Sequence, residues 1–285
     1  MHHFAAHALT RSLMILATLV ILIQAGTYLI AADPNAIDDW PMYRQDAGRK
    51  GVSQSELPDN LRLAWSRKLL ALTPAFQNKR LQFDAGYEPV VAKGKLLVAS
   101  SLTDSVKAFD TQTGQLVWTF YTNGPVRFAP AIWNEAACFG SDDGHLYCVD
   151  LHTGKLRWKQ QAAPSERLLL GNRRLISVWP VRGGPVVKDG VVYFAAGVWP
   201  FEGVFIYAVQ IETGEINWRN DRMGYLFGQQ PHNTQAIGGL APQGYLLIDE
   251  DELIVPCSTA YPARLNRFTG ELIEFELPSA GRYPG

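Results

Sequence analysis

The chain has 285 residues, 47% of them hydrophobic, with 26 basic and 27 acidic side chains and a formal net charge of −1. That balance, with no stripe of Lys and Arg, excludes the dense cationic surface a phosphate backbone requires, so nucleic acid is not an expected partner. The length is enough for one large core or two smaller ones, and 25 glycines with 17 prolines suit short strands joined by turns.

In chain order, the first feature is a targeting segment. Arg11 precedes an apolar run from Leu13 to Ile23. The run is shorter than the roughly 20 residues of a spanning helix and matches the apolar centre of a signal peptide. Leu29 to Asp33 offers a cleavage site, with Ile30 a poor fit two positions before Ala32. Thr27–Ala32 also prolongs the apolar character, so an uncleaved anchor stays open as the alternative and is the only expected membrane contact. On either reading the protein is exported, to a periplasm or cell envelope. Residues 1–32 are then the signal peptide or anchor, 33–60 an N-terminal extension and 61–285 the repeat domain. No Cys follows the apolar run, so lipid attachment is not expected.

Leu61-Arg62-Leu63-Ala64-Trp65 has the look of one isolated strand, and a repeat follows it. Ala108, Asp110, Thr113, Gly114 and Trp118 spell Ala-x-Asp-x-x-Thr-Gly-x-x-x-Trp. Cys148, Asp150, Thr153, Gly154 and Trp158 repeat it, as do Ala208, Gln210, Thr213, Gly214 and Trp218. A worn fourth copy has Asn266, Thr269 and Gly270, with Glu274 in place of Trp. Self-similarity at tens of residues signals a repeat architecture. Alternating residues before each motif, such as Val106-Lys107-Ala108-Phe109, predict a strand. The Asp side chain can accept a backbone hydrogen bond across the turn, and Gly supplies its positive φ. The Trp of the next strand seals one sheet against another. Hairpins over Val90–Ser101, Ala131–Ser141 and Val186–Ala196 precede the first three motifs, with a strong turn at Gly140–Gly144. Each unit is therefore four short strands, the composition of a propeller blade.

The motif resembles the tryptophan-docking motif of the PQQ-repeat, or quinoprotein alcohol dehydrogenase-like, β-propellers. Asp39–Ala47, Gly124–Pro130 and Val198–Phe201 are similar to the PQQ-binding-like β-propeller repeat proteins within that superfamily. The resemblance covers residues 39 to 275. It implies an all-β propeller of four-stranded antiparallel blades, with Trp118, Trp158 and Trp218 docking beside Gly114, Gly154 and Gly214. It also implies that the lone strand at Leu61–Trp65 joins a closing blade. The turn glycines fall at 114, 154, 214 and 270, so successive spacings are 40, 60 and 56, and the later units carry insertions. Four blades plus one outer strand make an incomplete ring. A split or truncated gene, two copies, or a different partner would complete it.

In such a fold, the loops entering blades line the ligand face. Val126-Arg127-Phe128-Ala129-Pro130 and Val181-Arg182-Gly183-Gly184-Pro185 each place Arg three residues before Pro. Arg127 and Arg182 suit bidentate carboxylate binding, and PQQ, implied by the resemblance, is a tricarboxylate. The alternative is that each Arg braces its own loop through carbonyls or a neighbouring Asp. Trp179 and Trp199, each before a Pro, offer a stacking face or fill space beneath the insertions. His232, in the amide-rich loop Gln229–Gln235, is a polar ligand candidate or a surface histidine. Adjacent cysteines, a Ca²⁺ ligand set and a catalytic Asp, which the alcohol-oxidising relatives imply, have no counterpart in the sequence. Asp142-Asp143 reads as a hairpin turn. Cys138 and Cys148 face each other on one hairpin; export permits a disulfide, whereas sheet strain favours two small buried thiols. The expected function is a non-catalytic module that binds a protein or small ligand on its loop face, with no metal and no confirmed cofactor. A PQQ-dependent dehydrogenase subunit and a cell-envelope assembly scaffold are the alternatives.

Overall fold

A computed structural model describes residues 39–276 apart from 54, 58, 73–85, 172–173, 230–233 and 258–260. It is built from strands that pair antiparallel with one exception. The first sheet is β1 (Val90–Ala92), β2 (Lys95–Ser100), β3 (Ser105–Asp110) and β4 (Leu116–Tyr121), and the second is β5 (Ala131–Trp133), β6 (Ala136–Gly140), β7 (His145–Asp150) and β8 (Leu156–Gln161). A separate hairpin, β9 (Leu168–Gly171) with β10 (Arg174–Ser177), is inserted before the third sheet. That sheet is β11 (Gly183–Lys188), β12 (Val191–Ala196), β13 (Phe205–Gln210) and β14 (Ile216–Asn220), with a 3-10 turn at Pro200–Glu202. A second hairpin follows, β15 (Leu226–Gln229) with β16 (Gln235–Gly238). Next, β17 (Gly244–Tyr245) pairs in parallel with β11, and β18 (Leu247–Asp249), β19 (Glu252–Val255), β20 (Ala263–Asn266) and β21 (Leu272–Glu274) form the fourth sheet. Each four-stranded sheet meanders from inner to outer strand, as a propeller blade does.

The motif builds the same corner four times. The amide of Gly114 donates to the Asp110 carbonyl at 2.8 Å, and Gly154, Gly214 and Gly270 repeat the bond at 2.8–2.9 Å to Asp150, Gln210 and Asn266. Asp110 Oδ1 also accepts from the amide and hydroxyl of Thr113, both at 2.9 Å. The register slips once between the last two strands of every blade, between Ala108 and Phe109 in the first and Cys148 and Val149 in the second. This bulge twists each outer strand and aims its Trp at the next blade. The Trp65, Trp118, Trp158 and Trp218 indole N–H groups donate to the carbonyls of Thr111, Leu151, Ile211 and Arg267 at 2.8–2.9 Å.

The middle strands do not follow the alternation read from the first motif. Every residue of β6 is buried, as is the stretch Leu146–Val149 of β7. The reason is that a middle blade has a neighbour on both faces. Ala137, Phe139, Tyr147 and Val149 enter one core with the first blade, whereas Ala136, Cys138, Leu146 and Cys148 enter another with the third. Successive side chains still point to opposite faces, but neither face meets water.

The extension runs along the inner strands. Trp40 pairs with Val91 of β1, the Pro41 carbonyl accepts from Ile132 of β5, and the Ala47 carbonyl accepts from Ile248 of β18, the last two at 2.8 Å. Arg49 reaches the Pro185 carbonyl of β11 at 2.9 Å. Residues 40–49 therefore hydrogen-bond to the innermost strand of every blade. By contrast, residues 61–67 form no sheet pairing among the described residues, although Trp65 is docked on the first blade.

Candidate functional site

The loops entering the second and third blades meet on one carboxylate. Arg127 Nε donates to Asp142 Oδ2 at 2.7 Å, while Arg182 donates from Nε to Oδ1 at 3.1 Å and from Nη2 to Oδ2 at 2.9 Å. Asp142 lies in the turn between β6 and β7, and its side chain is 1% exposed. Backbone bonds fix that turn: the Asp142 amide donates to Pro125 at 2.8 Å, and its carbonyl accepts from Ser177 at 2.7 Å. Asp143 serves the turn itself, accepting from the amides of Asn123 and His145 and from the Tyr147 hydroxyl at 2.7–3.0 Å. Sequence reasoning singled out the two arginines but took Asp142 for a turn residue. The available signal was a doubled acid in a turn flanked by two matching Arg-x-x-Pro loops.

A second ion pair lies within electrostatic reach of this one. Arg174 of β10 binds the Asp104 carboxylate and donates to the Ser101 carbonyl at 3.0 Å, tying the inserted hairpin to the first blade. Burial raises the Asp104 carboxyl above its ordinary range and outweighs the pull of Arg174. Deeper in, the Tyr245 hydroxyl donates to Glu88 and accepts from the Ala129 amide at 2.6 Å, with burial pushing its ionisation far up. Its ring stacks on Tyr43 with centroids 3.9 Å apart. Arg49 lies 5.3 Å from the Tyr245 centroid, and burial lowers its guanidinium to about 10.

Trp179 is separate from the arginine pair. It is 6% exposed, its N–H donates to the Glu202 carbonyl at 2.6 Å, and Arg167 lies over its ring. Trp199 is half-buried at the start of the 3-10 turn, where its carbonyl accepts from Glu202 at 3.0 Å. His232 lies outside the described residues. The shared carboxylate holds two guanidinium groups, and with them two loops, on one turn. A tricarboxylate such as PQQ would compete with the Asp142 carboxylate for three of these guanidinium N–H groups. Among the described residues, no three His, Cys, Asp or Glu side chains are grouped to hold a metal ion. None of those residues forms a helix long and apolar enough to cross a membrane.

Comparison with known proteins places the fold. A family model described as outer membrane protein assembly factor BamB matches residues 58–178. The dehydrogenase subunit of a quinone-type alcohol dehydrogenase from Gluconobacter oxydans is 28% identical over 214 residues, covering 68% of this chain and 26% of the relative. BamB from Yersinia pestis is 28% identical over 138 residues, covering 47% of this chain and 33% of the relative. The solved quinohemoprotein alcohol dehydrogenase from Comamonas testosteroni superposes with a TM-score of 0.62 at 21% identity, covering 89% of this chain and 43% of that one. The chain thus spans about a quarter to a third of these two curated relatives.

Proposed function

We propose, for a chain that belongs to the PQQ-repeat β-propeller superfamily, an exported, non-catalytic module that binds a partner on its loop face and forms part of a longer or split propeller. The observation that carries this reading is the segment at residues 61–67. Trp65 latches it to the first blade as later tryptophans latch later blades, yet among the described residues no strand pairs with it. Its backbone enters no sheet among the described residues, and with exposed Leu61 and Leu63 it is open to pairing with further strands. The completing strands come from the rest of a ring, as further sequence or as a second protein. The arginines support the non-catalytic part: both donate to Asp142 and hold two loops on one turn.

The alternative is a piece of a PQQ-dependent dehydrogenase, in which Arg127 and Arg182 exchange Asp142 for cofactor carboxylates. Its support is the similarity to quinone-type dehydrogenases. Purified protein mixed with PQQ and Ca²⁺ separates the two readings. The module shows no shift in the quinone absorption spectrum and no dye-linked alcohol oxidation; a shift lost in the Arg127→Ala, Arg182→Ala double variant overturns it. Blades encoded in frame, or in the adjacent gene, support a split ring. The third reading, an envelope assembly scaffold, rests on similarity to BamB and is tested by binding of its loop face to outer-membrane proteins.

A further inference from the structure

We propose that Cys138 and Cys148 are the site of an intrachain disulfide that staples the two middle strands of the second blade. The two residues are directly opposite in the β6–β7 ladder. The bonds at both ends of that ladder fix its phase. Leu151 N donates to Glu135 O and Ser141 N donates to His145 O, so the pairs Glu135–Leu151 and Ser141–His145 are hydrogen-bonded. Counting inward by twos, Ala137–Val149 and Phe139–Tyr147 are hydrogen-bonded as well, and Cys138–Cys148 is a non-hydrogen-bonded pair. Such pairs bring their Cα atoms to about 4.5 Å and their side chains closest together. That separation lies inside the range of about 4.4–6.8 Å that a disulfide bridges.

The surroundings agree. Both side chains are completely buried, and both face the core shared with the third blade. In the structure they are reduced, and the Cys148 thiol makes only a weak 3.7 Å contact with the Ile211 carbonyl. Burial also pushes the Cys138 thiol well up, which suppresses the thiolate that exchange requires. The bridge therefore forms while the blade is still open, and the folded core then shields it. The oxidant is a disulfide, carried by a protein or by glutathione. The two thiols lose their protons and their sulfurs join. The acceptor S–S bond breaks, takes the electron pair and both protons, and leaves as two thiols.

The test uses the full chain, refolded with a mixture of reduced and oxidised glutathione, then denatured without reductant and alkylated. One of the three cysteines, Cys257, is expected to react, and digestion is expected to yield a linked pair of peptides carrying Cys138 and Cys148. The Cys257→Ser variant is expected to take up no alkyl group. Alkylation of all three cysteines in the parent protein, or any linkage that includes Cys257, overturns the proposal. The count does not depend on what the loop face binds.

Discussion

Trp118 lies across Gly154 of the next blade. A Cβ added to Gly154, which has φ of 68°, would meet the indole ring at 2.6 Å, and the indole N–H donates to Leu151 O at 2.9 Å. Glycine is thus required twice at this corner, for the positive φ and for the flat seat it gives the ring. Trp118 is 8% exposed, so Trp118→Ala removes most of an indole's buried area and is expected to cost about 3–5 kcal/mol. Denaturant unfolding measures it. Trp65 makes the same contact from a segment that joins no sheet among the described residues, so Trp65→Ala is expected to cost less than half as much. Equal losses would mean that residues 61–67 are as firmly held as β4.

Arg49 forms three backbone bonds: to Tyr43 at 2.7 Å, to Pro185 at 2.9 Å and to Leu246 at 3.0 Å. Only a planar fork supplies those three directions at once. Arg49→Lys retains the charge but leaves buried carbonyls unpaired, at about 1–3 kcal/mol each. The expected result is a lower unfolding midpoint despite the unchanged charge. A midpoint equal to that of the parent would show that residues 40–49 do not help hold the blades together.

Asp142 gathers Arg127 and Arg182. Asp142→Ala removes the carboxylate they share from a site where it is almost fully enclosed, and breaking such a pair typically costs about 3–5 kcal/mol. Asp142→Asn keeps the shape and one acceptor oxygen and is expected to recover part of that loss. Thermal unfolding of the two variants beside the parent gives the ranking. Indifference to both changes would mean that the two loops are held by other contacts.

Acid sensitivity follows from the repeated corner. The Thr153 hydroxyl, then burial in the opposite sense, then the Thr153 amide act on Asp150, and the net effect lowers its carboxyl to about 2. A carboxyl depressed on folding stabilises above its unfolded value, near 4, and that contribution is lost as pH falls towards about 2. Asn266 fills the same position in the fourth blade, accepting from the Thr269 amide at 3.0 Å without a charge. Asp150→Asn should therefore fold. Its Tm deficit relative to the parent is expected to shrink between about pH 5 and pH 2. A deficit constant over that span would detach the charge from the stability.

The fold was legible because its instructions are local. Asp110, Thr113 and Gly114 bond to one another within five residues, so their identities predict the corner wherever they recur. Trp at a fixed offset then gives the stacking direction. The site was less legible because its contacts are not local. Arg182 and Asp142 are 40 residues apart, Arg49 and Leu246 are 197 apart, and no spacing rule joins them. The complete burial of β6 was obscure for a related reason. Alternation identifies one wet face, and a blade flanked on both sides has none.

The two ends of the arc are unlike. At the first blade, the seat over Gly114 is already filled by the chain's own Trp65. At the fourth, the position that would supply the next indole is Glu274, whose carboxylate is bound by Arg264 at 2.6 Å. A second copy arriving end to end would bring a charge instead of an aromatic ring and would find its socket taken. Under the reading proposed above, end-to-end stacking of identical chains is disfavoured, and a surface that is not a copy of this one would complete the circle.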